Sequence, residues 1–299
     1  MALYLDPKAD LTFKKVFAEH KDLMISFLNA LLPLDPNGLV AEIEYLPVEL
    51  LPENPLLKDT IVDVRCKDQL GRSFIVEMQM IWSPEFMKRV LFNASKSYSR
   101  QLDKGGHYSD LQPVYSLNLV NDVFRNDTDE CYHDYGLMDI KYKGHIIEGM
   151  HLIFIELPKF KPHSFGDKKM TVLWLRFLTE IDEKTRKAPQ ELLENPETRK
   201  ALDIVEESAY TEAQLNGYDH FWDMVSTERT LMSSALNTGF KKGQEKGFKA
   251  GMEEGMKAGR EAGKKEVLGH VVKKLQAMGL SEEQIALATG LSPEDAGRK

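Results

Sequence analysis

The sequence predicts an α/β fold, a mixed central sheet flanked by helices, continued by an α-helical C-terminal arm. Three observations predict it. Short apolar runs of strand length around 61–64, 74–78, 113–120 and 151–157 alternate with longer stretches of helical periodicity. Two of these runs, inside Thr60–Met80, read as a hairpin. Glycine then recurs at every fourth position from Gly239 to Gly263 in a highly charged segment, the mark of a repeat.

Asp10 precedes Phe13, Val16, Phe17, Leu23, Phe27, Leu28, Leu31 and Leu32, a pattern that stops at Pro33. It predicts one long helix or two shorter ones, with Asp10 as N-cap. A strand is expected around Glu42 to Val48, then a loop through Pro52 and Pro55. In the hairpin, Ile61, Val62 and Val64 supply one strand, Phe74, Ile75 and Val76 the other, and Gly71 the turn. A three-residue loop, Gln69 to Gly71, sets Asp68 opposite Arg72 and, five residues back along each strand, Asp63 opposite Glu77. Their Cβ atoms then lie roughly 5 Å apart. Gln79 shares the face of Glu77, whereas Phe74, Val76 and Met78 point to the core. Ser83 and Pro84 open a helix expected to reach Gly105 and Gly106. Pro113 to Val120 and His151 to Leu157 read as inner strands with an irregular polar segment between them. From Ser164 to Phe240 the pattern is helical, and its stripes of Trp174, Leu175, Phe177 and Leu178 and of Phe221, Trp222 and Val225 read as core.

Two carboxylates as close as Asp63 and Glu77 repel unless a proton or a cation lies between them. Oxygen ligands without His or Cys suit Mg²⁺ or Mn²⁺, ions that pair carboxylates with phosphates, and so point to phosphodiester chemistry. The plain alternative is a pair of solvent-facing acids on a half-exposed sheet. Lys88, Arg89, Lys96, Arg100 and Lys104 outnumber Glu85 and Asp103 on the following helix. They are either a solvated face or phosphate contacts, and their place beside the acids selects Lys88, Arg89, Lys96 and Arg100 as substrate-binding candidates. His133, His145, His151 and His163 fit no compact ligand spacing and read as structural.

The net charge of −8 gives no overall basic footprint for nucleic acid, so local patches and bound metal must compensate. Two cysteines, Cys66 and Cys131, suit a reducing compartment. Without a signal-like start or an apolar run of membrane length, the expectation is a cytoplasmic protein with no membrane partner.

Asp63, thirteen residues, then Glu77-x-Gln79 resembles the active-site hairpin of the PD-(D/E)XK nucleases, with Gln where that motif has Lys. DLTFKKVF at 10–17, FLNALL at 27–32, VDV at 62–64, VEMQ at 76–79 and ELPKF at 156–160 together resemble the Rpn family. These are recombination-promoting nucleases, also described as transposases of the PD-(D/E)XK type, and the resemblance spans about residues 1–230. It implies a restriction-endonuclease-like core and divalent-metal-dependent DNA cleavage. Asp63 and Glu77 are then the metal ligands, with Asp10 or Glu19 as the acid that a first helix often supplies in that superfamily. Gln79 would orient water or touch phosphate. It carries no charge and cannot act as a base, so Lys14 is the candidate to stand in for the lysine.

The expected division is a nuclease-like domain at 1–235, a glycine-periodic arm or tether at 236–266, and a short helical hairpin at 267–299. Ser281 with Gln284 forms a capping-box pattern, and Ser292 with Pro293 announces a further start. This tail resembles a helix-turn-helix module, cut off where a recognition helix belongs. Self-association through the C-terminal helices is the alternative use of the segment. The functional expectation is a DNA endonuclease linked to recombination or transposition. Its rival is a catalytically impaired nuclease fold that binds DNA or protein.

Overall fold

The computed structural model describes residues 3–50, 60–102, 105–165, 169–292 and 294, which fall into two compact units, 1–229 and 230–299. In chain order the strands are β1 (Ile43–Tyr45), β2 (Glu49–Leu50), β3 (Thr60–Ile61), β4 (Val64–Asp68), β5 (Ser73–Gln79), β6 (Val114–Val120), β7 (Tyr132–Met138) and β8 (Ile146–Glu156). The helices are α1 (Asp10–Phe17), α2 (Lys21–Leu31), α3 (Pro84–Ser99), α4 (Lys169–Glu180), α5 (Gln190–Glu194), α6 (Pro196–Ile204), α7 (Glu212–Ala277) and α8 (Glu282–Thr289). Six strands form one mixed sheet in the order β1-β4-β5-β6-β8-β7. The β5/β6 and β6/β8 pairs are parallel and the rest antiparallel.

The hairpin has the predicted register. Val64 faces Val76, Lys67 faces Ser73, and the Asp68 N–H donates to the Arg72 carbonyl at 3.1 Å. Gly71 closes the three-residue loop at φ +80°, a conformation that costs a residue with Cβ. The Asp68 carboxylate accepts from the Leu70 and Arg72 amides at 3.0 and 2.9 Å and pairs with the Arg72 guanidinium. Turn and register are thus fixed by one side chain. The first strand differs from expectation beyond Val64: β3 pairs with β2 in a separate ribbon, and Val62 and Asp63 fall in the break. There the Asp63 carboxylate accepts the Met78 N–H at 2.6 Å, replacing the next ladder carbonyl with a side chain.

A parallel β5/β6 pair needs a crossover, and α3 supplies it across one face of the sheet. Ile75 and Ala94 pack together on that face. The other face is covered by α1, α2, α4 and α6, where Phe13, Phe17, Phe27 and Trp174 join Phe74, Val76, Leu117 and Leu119 in one buried cluster. Ring centroids stand 4.2 Å apart for Phe17 and Phe27, and 5.5 Å for Phe27 and Trp174. The helical and central-strand expectations therefore hold. Of the two alternatives for 10–32, the structure has the two shorter helices. Two details change. Asp10 is not an N-cap, because Ala9 occupies that position and the Asp10 carboxylate turns to Lys14. The segment before β8 is not irregular: it contains β7, an edge strand whose Asp134, Leu137 and Met138 are exposed and leave no apolar run to read.

α3 stops at Ser99, short of the glycines, and Gln101 then clips the backbone of Gln112 through bonds of 2.9 and 2.8 Å. Lys104 and Asp103, Pro52 and Pro55, Pro293 and residues 295–299 lie outside the described residues.

In the second unit, α7 remains helical through Ala277. Ser281 and Gln284 form the reciprocal capping box, Gly290 ends α8 at φ +72°, and Val272 packs on Ile285. A Cβ added at any glycine from Gly239 to Gly263 would meet nothing within 4 Å. Since Gly costs a helix about 1 kcal/mol relative to Ala, Gly247→Ala, Gly251→Ala and Gly255→Ala combined are expected to raise the thermal midpoint of the far-ultraviolet helical signal of this unit. A lower midpoint would show that these glycines serve a contact that a single chain does not make.

Candidate active site

The acid pair sits where the β4/β5 ladder ends. Glu77 is in register with Asn118 of β6 on one side, and on the other the ladder ends at Val64/Val76, with Asp63 in the break just before Val64. Its side chain points under α3 and is 4% exposed. Glu77 Oε1 accepts from Asn93 Nδ2 at 3.1 Å, and Oε2 meets Arg89 Nη2 at 3.3 Å. The same Arg89 nitrogen donates to Gln79 Oε1 at 2.8 Å, and Gln79 Nε2 donates to the Ile81 carbonyl at 2.7 Å. So the polar face of the hairpin is not an open surface, because α3 covers it.

Burial pushes the Glu77 carboxyl above the usual carboxylate range, Arg89 draws it back, and the charge of Asp63 raises it again. Burial likewise raises Asp63, opposed by the Met78 N–H and reinforced by Asp10. For both carboxyls, burial and the neighbouring acid disfavour the charged form by more than the nearby cations and donors favour it. Asn93 Oδ1 is buried without a hydrogen-bond partner, an unmet acceptor on the residue that bonds Glu77. Asp63 Oδ1 is also without a partner among the described residues.

Asp63 opens into a cleft of about 720 Å³ whose walls include Lys8, Asp10, Lys14, Lys15 and Met78. Phe221 and Met224, from the start of α7, close its far wall. Lys14 lines this cleft but holds Asp10 at 2.7 Å, with both side chains well exposed. Glu19 lines it too. Among the described residues, no group of three or more His, Cys, Asp or Glu side chains is close enough to hold a metal, so Asp10 does not join Asp63 and Glu77 in this conformation.

The basic residues of α3 separate. Arg89 reaches Glu77 and Gln79, and its guanidinium also lies 4.9 Å from the Phe86 ring. Lys88 is exposed, Lys96 lies 5.7 Å from the Phe92 ring, and Arg100 lines a second cleft one helix end away. Asn93 escaped the sequence reading. Its signal was available: an amide on the stripe Phe86, Val90, Asn93, Ser97, whose spacing is otherwise that of a buried face, four residues from Arg89.

Of His133, His145, His151 and His163, two have side-chain partners among the described residues. His133 Nε2 contacts Glu156 at 2.8 Å, and His151 stacks on Tyr115 and faces Asp134. Cys66 and Cys131 are buried and free, and burial pushes the Cys66 thiol up to about 12, which leaves it unreactive. No helix among the described residues is long and apolar enough to cross a membrane.

A mixed sheet covered by helices on both faces, with acids at a hairpin edge, is the α/β architecture of the PD-(D/E)XK class. The sequence model of the PD-(D/E)XK nuclease family transposases matches residues 7–230, and the chain belongs to that family. No curated protein and no solved structure matches it.

Proposed function

We propose that the protein is a divalent-metal-dependent DNA endonuclease of this family, acting in recombination or transposition, with Asp63 and Glu77 as the acids of its centre. The observation that carries the reading is the closeness of a buried Glu77 and a half-buried Asp63, whose carboxyls are both raised by desolvation, beside an unmet Asn93 oxygen. This donor set, carboxylates and an amide oxygen without thiol or imidazole, fits Mg²⁺ or Mn²⁺. Asp63, Glu77 and the Met78 carbonyl would hold the ion, and Asp10 would join them on leaving Lys14. When bound, such an ion lowers the pKa of water and offsets charge building on phosphate.

The chain's own residues do the rest. Arg89 orients the Gln79 amide and brings a positive charge to the position where the PD-(D/E)XK motif has lysine. Gln79 can then donate to a phosphate oxygen or place a water, but holds no proton to exchange. Lys14, across the cleft with Asp63, supplies a second cation. Lys88, Lys96 and Arg100 extend the positive track along α3 for the DNA backbone. The 1–235 domain would carry the chemistry, 236–266 the reach, and 267–299 self-association, in a cytoplasmic protein.

A second reading has its own observation. Arg89 already meets Glu77 from within the chain, at 3.3 Å, which suits a fold that binds DNA without cutting it. Supercoiled plasmid incubated with purified protein in Mg²⁺ or Mn²⁺, in EDTA, and with Asp63→Ala separates the two. Cutting that needs both the ion and Asp63 supports the endonuclease. Retarded but intact plasmid under every metal establishes the binding module.

A further inference from the structure

We infer that the cleft between β4 and the C-terminal end of α3 is an oxyanion site, built by Arg65, Ser97 and Arg100 to hold a backbone phosphate of DNA away from the cutting centre. This rests on the DNA reading above and adds a second point of contact. The cleft encloses about 630 Å³. Arg65 enters from β4, paired in register with Ile75, and Ser97 and Arg100 enter from the last turn of α3.

Two residues with unmet donors line it. Arg65 Nε and Ser97 Oγ are both shielded from solvent and have no hydrogen-bond partner. Buried donors are seldom left unpaired, and one acceptor-rich group could serve both. A phosphate offers oxygens in several directions and the charge to match. The two arginines also repel: burial, then the charge of Arg100, lowers the pKa of Arg65. Because a guanidinium does not give up its proton, this strain is relieved by an anion.

The neighbouring charges do not supply that anion. Lys67, on the same wall, is already paired with Glu44 at 2.9 Å, and Arg72 with Asp68. Asp110 is the one carboxylate lining this cleft among the described residues, and it faces its own His107 amide and Ser109 hydroxyl. Arg65 and Arg100 have no ion-pair partner among the described residues. Nor does the helix end attract the ligand, since a C-terminus carries partial negative charge. The side chains must do it, and the Gln101–Gln112 clip holds the wall behind them.

The spacing suits a DNA strand. Arg89 and Arg100 are eleven residues apart on and just beyond α3, about 16 Å at 1.5 Å each. At 3.4 Å per step along one strand, that is about five nucleotides from Arg89.

The test is binding of a 30-base-pair duplex to the full chain in EDTA, so that cutting plays no part, across a range of salt. Arg65→Ala and Arg100→Gln are each expected to weaken binding about tenfold and to lower the salt slope by about one. Exposed Lys187→Ala is the control and should change neither. Thermal melts accompany each variant, and Arg65→Ala should melt no lower than wild type, because it removes an unmet donor. Wild-type binding by both variants overturns the site. If the wild-type chain does not bind duplex, yet inorganic phosphate raises its melting temperature and fails to do so for Arg65→Ala, the occupant is a small phosphate. The DNA assignment then falls while the oxyanion geometry stands.

Discussion

Glu77→Gln is expected to abolish DNA cleavage and, in the same protein, to raise the melting temperature of the metal-free chain. The loss of activity follows from removing one of two charges that hold the ion: several kcal/mol of transition-state stabilisation is about a thousandfold in rate. The gain in stability follows from burial. Glu77 is 4% exposed, its only cationic partner among the described residues is a half-exposed Arg89 at 3.3 Å, and Asp63 opposes it. Glutamine keeps the size and the acceptor oxygen for Asn93 without a charge to desolvate, and its amide can donate to the unmet Asn93 Oδ1. Relief on the order of 1 kcal/mol would raise the midpoint by a few degrees in a unit of this size. Mg²⁺ or Mn²⁺ should then stabilise wild type, by about 2.7 kcal/mol at a hundred times its dissociation constant, and leave Glu77→Gln unmoved. A metal-free Glu77→Gln chain that melts lower than wild type would mean that the charge is structurally satisfied and holds no ion.

What could be read beforehand was set by local rules. The hairpin register needed only a turn glycine and the two-residue period of a strand, and it survives as far as Val64 opposite Val76; Asp63 lies one residue beyond, in the break. The aromatic stripes of α1, α2 and α4 announced their core because helical period and burial coincide. Where the reading failed, the missing information was tertiary. β7 owes its existence to the edge of β8 rather than to any apolar run, and Asp10 looked like a cap until Lys14 took its carboxylate. That α3 closes over Glu77 is a consequence of the parallel β5/β6 crossover, which no single segment encodes. For the same reason Arg89 was legible as one basic residue among several but not as the one that meets Glu77. The sequence offers Lys14 on the first helix as the stand-in for the motif lysine, and α3 in addition brings Arg89 to Gln79 from directly after the hairpin.

Glu156→Ala is expected to destabilise the first unit by about 3–5 kcal/mol, the cost of stripping a buried charge of its partner. Glu156 is fully buried at the end of β8. Its Oε2 accepts from the Phe124 and Arg125 amides at 2.8 and 3.3 Å, and its Oε1 meets His133 Nε2 and Lys159 Nζ at 2.8 and 2.9 Å. Lys159 in turn donates to the Arg125 and Thr128 carbonyls, so one carboxylate fastens the 121–131 connection to the sheet. Burial pushes the Glu156 carboxyl up, but Lys159, His133 and the two amides bring it net below its ordinary value. A depressed native pKa contributes stability that is complete above the unfolded value, about 4.3 for glutamate, and is lost as pH falls through the native one. The difference in denaturant stability between wild type and Glu156→Gln should therefore be constant from about pH 6 to 8 and shrink below about pH 4. A gap that stays level on acidification would remove the carboxylate from the account. The measurement also decides what ELPKF at 156–160 is for. If Glu156→Ala, kept folded at low temperature, still gains stability from Mg²⁺ or Mn²⁺ as wild type does, the motif holds the fold. Loss of that response would instead draw Glu156 into the metal centre and enlarge the site beyond the hairpin.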